Sequence, residues 1–420
     1  MSEVEENQKQ KKEVEFSFLL LGLASLIPWN AILSELDFFL FYQKEYSPQI
    51  VFLNINFAVN LLMQFILLTT KKIFSYKTLF IFGLCGYMTA LVSLPLAAIF
   101  FPGKMGFMIC CLSIFINGFS NAVFQSSLFG LVSYFSIENV IAVGTGQGIS
   151  GILMTLVRYG ILLFLDEQKG LNLGAYLFFG ISALIILYII RQVTILYKNP
   201  VYLEVLNQIG EIKKDGDKLI EEKETELQVL NDEGNNNDEQ GKSKKDEKGL
   251  LFLVIKILDI NIMIILCFTI TIGLFPGSSI KPSFFGLSIG WKINTLVFLF
   301  NLFDTIGRKL VGYIKKPQKW HLTTVTIIRF VFLASFPCVI YMEKYNKLSG
   351  NIIGVLSLLN TCLMALTSGV QNNLCFSLAP EGVEGELKAK AGSSVSLCLA
   401  VGLFAGSLLA NFLDKFTDNL

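Results

Sequence analysis

Arginine is nearly absent from this chain: Arg158, Arg191, Arg308 and Arg329 are the four in 420 residues, and His321 is the single histidine. Charged residues make up 16% of the sequence, against about 25% in soluble domains, which excludes an ordinary soluble domain. No HExxH segment and no GxxxxGK[ST] segment occurs, so a zinc-protease helix and a phosphate-binding loop are both missing. A potassium-filter sequence is also missing. The eight cysteines all lie inside apolar runs, with no CxxC pair and no zinc-ligand spacing. They read as small packing residues rather than disulfides or metal ligands. The N-terminal stretch "MSEVEENQKQKKEVEF" mixes both signs of charge and lacks a short apolar core with a cleavage site. The apolar run that follows therefore reads as a permanent membrane helix.

What the chain does have is hydrophobic length: 53% of it is apolar, and Phe alone occupies 37 positions. About 20 apolar residues cross a bilayer as a helix. Runs of that size fall near 16–40, 50–70, 78–101, 105–133, 139–165 and 173–197, then near 250–275, 284–307, 321–343, 350–379 and 389–413. The fold class is thus an all-α polytopic membrane protein of eleven spans, six before a polar break and five after it. This predicts a cytosolic tail at 1–15, a six-helix bundle at 16–198, a charged linker at 199–249 and a five-helix bundle at 250–420. The linker "EIKKDGDKLIEEKETELQVLNDEGNNNDEQGKSKKDEK" has mixed charge and few aromatics, the composition of a solvated segment with at most a short helix. Lysines gather in the loops around Lys71, Lys72, Lys315, Lys316 and Lys388. That bias puts the N-terminus and the linker in the cytosol and the C-terminus outside. Two bundles around a long cytosolic loop are the layout of major-facilitator-like secondary carriers.

Within these runs, polar residues stand out. A charge at the bilayer centre costs about 2.5–3.5 kcal/mol on insertion scales, yet "FNLFDTIGRKL" carries Asp304 and Arg308 four residues apart, on one helix face. One reading is an ion pair bracing the bundle; the other is a polar anchor for a hydroxylated solute. "NGFSNAVFQSSLFG" repeats amides at Asn117, Asn121 and Gln125, again spaced by four. Gln125 reads either as an interhelical hydrogen bond or as a solute contact. "GTGQGISG", around Gln147, has the small residues of close helix contact. "LIPWNA" sets Pro28, Trp29 and Asn30 mid-span, where the proline can kink the helix and the indole can cover a planar ligand. "LFPG" puts Pro276 at the end of the seventh run, a bend at the outer mouth. His321 reads as a membrane-interface residue.

Taken in order, "PWN", "NAVFQSSLFG", "GQGISG", "FPG", "FNLFDTIGR", Arg329 with Phe332, and "GLFAGS" near the C-terminus resemble the equilibrative nucleoside transporter family. The resemblance covers nearly the whole chain. It implies a major-facilitator-like fold that moves nucleosides, and in some members nucleobases, by alternating access. It assigns Asp304 and Arg308, with Asn301 beside them, to the ribose hydroxyls, and Gln125, Trp29, Asn30 and Met63 to the base. Pro276 falls at an outer gate. The implied partners are nucleosides and the lipid bilayer, with no cofactor, metal or nucleic acid and no enzymatic step. The plasma membrane is the expected residence, an endomembrane the alternative. Transport is facilitative or proton-coupled, with Asp304 the candidate proton carrier. A carrier of another hydroxylated solute such as a sugar, and a non-transporting receptor or scaffold, are the other readings of the same polar residues.

Overall fold

The computed structural model describes residues 3–70, 74–101, 103–165, 171–210, 252–253, 255–282, 285 and 289–419. Among them the secondary structure is helical throughout. The first eight helices are α1 (Glu3–Ser34), α2 (Leu36–Gln43), α3 (Pro48–Thr69), α4 (Tyr76–Phe100), α5 (Gly103–Val132), α6 (Ile137–Phe164), α7 (Leu171–Leu196) and α8 (Pro200–Gln208). After the linker come α9 (Leu258–Leu274), α10 (Gly277–Ile280), α11 (Ile289–Leu310), α12 (Lys319–Lys344), α13 (Gly350–Leu378) and α14 (Glu386–Asn419). Lipid offers the backbone no hydrogen-bond partners, so long apolar runs become helices that satisfy their own amides. Starts are marked by polar caps. Ser75 accepts from the Thr78 amide at α4, and Gln318 and His321 form a reciprocal capping box at α12. His321, with its ring stacked on Trp320 at 3.8 Å, is thus a helix-start residue.

Among the described residues, ten crossings are long and apolar enough to span a membrane: α1, α3 to α7, α9 continued by α10, α12, α13 and α14. The chain is an integral multi-pass membrane protein. The eleventh expected span is α11, which at 22 residues equals α3 in length. It falls short in apolarity because Lys292, Asn294, Asn301, Asp304 and Arg308 interrupt it. Its neighbours supply the polar surroundings that lipid would not. Phe164, Ile327, Val331 and Phe412 are exposed on the outside of the bundle, as a lipid-facing surface requires.

The first crossing differs from its expected extent. The run near 16–40 is divided at Glu35, with α1 ending at Ser34 and α2 starting at Leu36. Glu35 is wholly buried and paired at 2.5 Å with Arg158 of α6, so the break serves an ion pair. Pro28 does not end the helix; α1 continues through it for six residues. Membrane helices tolerate proline where neighbouring groups re-satisfy the freed backbone. At the other end, α1 begins at Glu3, so residues expected as a cytosolic tail extend the first helix.

Residues 211–249 of the predicted linker lie outside the described residues. Its first stretch is α8, capped by Asn199, whose side chain accepts from the Val201 and Tyr202 amides and donates to the Gln10 carbonyl of α1. Tyr202 and Leu206 are buried, and the Tyr202 ring lies against Phe18, Phe135 and Tyr197. The bundle packs α1 along α6, α4 along α5, α9 along α14 and α11 along α13. Contacts of α6 with α11, and of α5 and α3 with α14, join the helices before the linker to those after it.

Candidate functional site

The pair of charges on α11 forms one end of a buried polar relay. Helical spacing sets Asp304 and Arg308 one turn apart, and the Arg308 Nε donates to Asp304 Oδ2 at 2.6 Å. Both residues are 5% exposed, far too little for water to satisfy two charges. The guanidinium also reaches α6, where Nη1 donates to Gln147 Oε1 at 2.8 Å. The Gln147 amide nitrogen then donates to Ser25 Oγ of α1 at 3.2 Å. Tyr87 of α4 donates its hydroxyl to Asn121 Oδ1 of α5 at 2.8 Å and lies 3.4 Å from the Ser25 carbonyl. Five helices therefore meet through hydrogen bonds, with one carboxylate and one guanidinium as the charged members.

Small residues bring the backbones close enough for this. A Cβ on Gly148 or Gly151 of α6 would collide with Thr305 or Asn301 of α11, so the "GQGISG" face admits those side chains. On the opposite side of α11, a Cβ on Gly369 would strike the Asp304 backbone, which seats α11 directly on α13. Asn373 of α13 donates to the Arg308 carbonyl at 3.0 Å. Asn30 of α1 donates to Ser150 Oγ at 2.7 Å, and Ser150 in turn donates to the Gln147 carbonyl. Asn30, Asn301, Asp304 and Arg308 are thus gathered around the same segment of α6.

The amides of α5 separate into two kinds. Asn117 donates to Asn56 Oδ1 of α3 at 2.9 Å, and Asn121 accepts from Tyr87, so these two bind helix to helix. Gln125, one turn further along and 3% exposed, has an Oε1 with no hydrogen-bond partner among the described residues. A buried acceptor left unmade costs about 1–3 kcal/mol; Asn117 Oδ1 is unpartnered too, but Asn117 bonds through its nitrogen, whereas Gln125 has no hydrogen bond among the described residues. Trp29 is half-buried, its ring tilted against Phe57 of α3 at 5.2 Å. Met63 is a half-buried residue of α3, and no hydrogen bond or ring contact ties it to the relay. Pro276 stands apart, exposed at the turn between α9 and α10; beside it Phe275 stacks on Phe300 of α11 at 4.2 Å.

Reading the sequence missed three features of this region. Gln147 is a direct partner of Arg308, although its segment reads as a packing surface. Asn56, Asn60 and Gln64 are buried along one face of α3, at a spacing of four that could have been noticed. Glu35 is the partner of Arg158, a pairing that no local spacing reveals. Among the described residues no group of three or more His, Cys, Asp or Glu side chains is placed to hold a metal ion.

The family model described as "Nucleoside transporter" matches residues 110–415. The chain is similar to equilibrative nucleotide transporter 7 of Arabidopsis thaliana, 27% identical over 401 residues, covering 93% of this chain and 92% of that protein. It is also similar to equilibrative nucleoside transporter 4 of Danio rerio, 23% identical over 454 residues, with 96% and 84% covered. Among solved structures it is similar to a major facilitator superfamily proton:xylose symporter, with a TM-score of 0.66 at 13% identity over 98% of this chain and 90% of that one. At that identity the likeness concerns the fold: the helices are arranged as in a major facilitator carrier.

Proposed function

Because the chain belongs to the nucleoside transporter family, we propose that it carries nucleosides across the membrane by alternating access, with the Asp304–Arg308 pair holding the ribose. The observation that carries this reading is the pair itself, buried at 2.6 Å and shared with Gln147 where α1, α6 and α11 meet. Vicinal hydroxyls both donate and accept. A carboxylate accepts from them, and a guanidinium fork donates to them. Asn301 lies one turn before Thr305 on the same helix and completes the sugar side. Gln125, with its unpartnered oxygen, reads the base, while Trp29, Asn30 and Met63 cover it, and Pro276 belongs to the outer gate. Nucleobases fit the same base-reading end.

The relatives carry both nucleoside and nucleotide in their names. Here the site cation is already matched by Asp304, so a phosphate brought alongside it would face a carboxylate, which favours the uncharged nucleoside. The pair neutralises itself, so reorientation needs no coupled proton and transport is facilitative. The lysine bias supports a cytosolic N-terminus and linker and an extracytosolic C-terminus. Uptake of adenosine, uridine and glucose into proteoliposomes, with and without a pH gradient, tests the proposal. Saturable uptake of both nucleosides, indifferent to the gradient and uncompeted by glucose, is expected. Glucose uptake at a comparable rate, or binding without accumulation, would contradict it.

A further inference from the structure

Buried amides that lack a partner on oxygen recur in this bundle, and most are bonded through nitrogen. Gln43, Gln64, Asn117, Asn261 and Gln371 each donate to a neighbouring side chain or carbonyl. Asn372 of α13 is different. It is 0% exposed, and neither its Oδ1 nor its Nδ2 has a partner among the described residues. Buried amides are seldom left wholly unbonded, and one that is calls for a ligand, a fixed water or a functional strain.

Helical phase shows where this amide lies. Four residues after Asn372, Phe376 stacks on Phe129 of α5 with centroids 3.7 Å apart and planes 14° from parallel. Four residues before Phe129 is Gln125, with its own unpartnered Oε1. As the fourth and tenth crossings, α5 and α13 run in the same direction. One turn before the stacked rings, each helix therefore carries an unsatisfied amide on the face that bears its ring. The remaining faces of α13 are already occupied. Gln371 bonds to Met263 and Thr326, Asn373 to the Arg308 carbonyl, and Gly369 abuts Asp304.

We infer that Asn372 is a second base-reading residue, which grips the polar edge of the nucleobase together with Gln125 above an aromatic floor made by Phe129 and Phe376. This rests on the ribose reading at Asp304 only for which end of the solute lies where. A side-chain amide holds a donor and an acceptor side by side, the complement of a base edge that also pairs one of each. Among the described residues those Asn372 atoms have no partner. Bound solute supplies one.

Full-length protein in nanodiscs is titrated with adenosine, with purine riboside, which lacks the exocyclic amine, and with 2′,3′-dideoxyadenosine. Asn372→Leu should weaken adenosine binding roughly tenfold, the scale of one lost hydrogen bond in a buried site. It should bring the preference for adenosine over purine riboside close to unity and leave the preference over dideoxyadenosine intact. The melting temperature of the unloaded protein should hold or rise, since an unpartnered amide has become an apolar side chain of similar volume. Asn372→Ser serves if the leucine variant does not insert, with the same binding changes expected. A wild type indifferent to the exocyclic amine, unchanged preferences in a folded variant, or failure of both variants to fold would overturn the inference. So would a falling melting temperature with all three ligands weakened alike; a fixed water then satisfies a structural amide. Should wild type bind dideoxyadenosine as tightly as adenosine, the ribose reading at Asp304 fails, while the purine riboside comparison still decides Asn372.

Discussion

Two arginines of the helices after the linker are buried almost equally and held very differently. Arg329 of α12 is 0% exposed and donates to the Cys267 and Met364 carbonyls at 3.0 Å, to the Thr367 hydroxyl at 3.0 Å and to the Thr271 hydroxyl. Its partners are neutral, number four, and belong to α9 and α13, the helices packed against its own. Arg308 is 5% exposed, faces a carboxylate one turn away and shares its guanidinium with Gln147 across the α6–α11 contact. Two carbonyls and two hydroxyls hold the Arg329 cation, all from helices after the linker, so its bonds tie one bundle to itself. A cation that joins helices from before and after the linker can exchange a protein oxygen for a solute hydroxyl. Burial alone therefore does not mark a site in this protein; the location of the partners does.

Breaking the first arrangement should give the largest effect on stability. Arg329→Met removes the charged donor that ties α12 to α9 and α13, and should destabilise the bundle by about 1.5–3 kcal/mol, the scale of hydrogen bonds to a charged group. It should be seen as poor membrane expression and a lowered melting temperature. Exchanging the α11 charges, Asp304→Arg with Arg308→Asp, sharpens the contrast. A pure strut would tolerate reversal, whereas a ribose clamp needs acceptor and donor in fixed places. Uptake should fall at least roughly tenfold, the scale of a lost charge-assisted contact, with surface expression retained. Gln147→Leu should act more gently, shifting the KM for ribosides several-fold because Arg308 loses the oxygen that holds it against α6. A change in expression with unchanged KM would return Gln147 to a packing role. Smallest of all is the linker. Deletion of residues 211–241, a stretch too polar to join the membrane core, should leave uptake in proteoliposomes within about twofold of wild type.

The crossings were legible because lipid imposes a length and a composition on them. Even α11, the most interrupted of them, reads as an apolar run near 284–307 and is a helix over Ile289–Leu310. The α1–α2 break was not legible. Glu35 sits in an apolar neighbourhood, and its partner Arg158 lies 123 residues away. Asp304 and Arg308 were found because both charges fall on a single helical face, whereas Gln147 is 161 residues from Arg308 and looked like part of a glycine surface. The amides of α5 show the same limit. Spacing marked Asn117, Asn121 and Gln125 alike, and tertiary partners divide them into two that bind helices together and one left unbonded.

Asp304 as a reader of ribose is the centre of the proposed mechanism, and ligand discrimination reports on that directly. Adenosine and 2′,3′-dideoxyadenosine are titrated into wild type and into Asp304→Asn, both in nanodiscs and both checked for an intact melting transition. Wild type should bind the riboside at least several-fold more tightly, and the variant should bind the two ligands nearly alike. Equal discrimination in both folded proteins would contradict the central claim and leave the Asp304–Arg308 pair as a brace between helices.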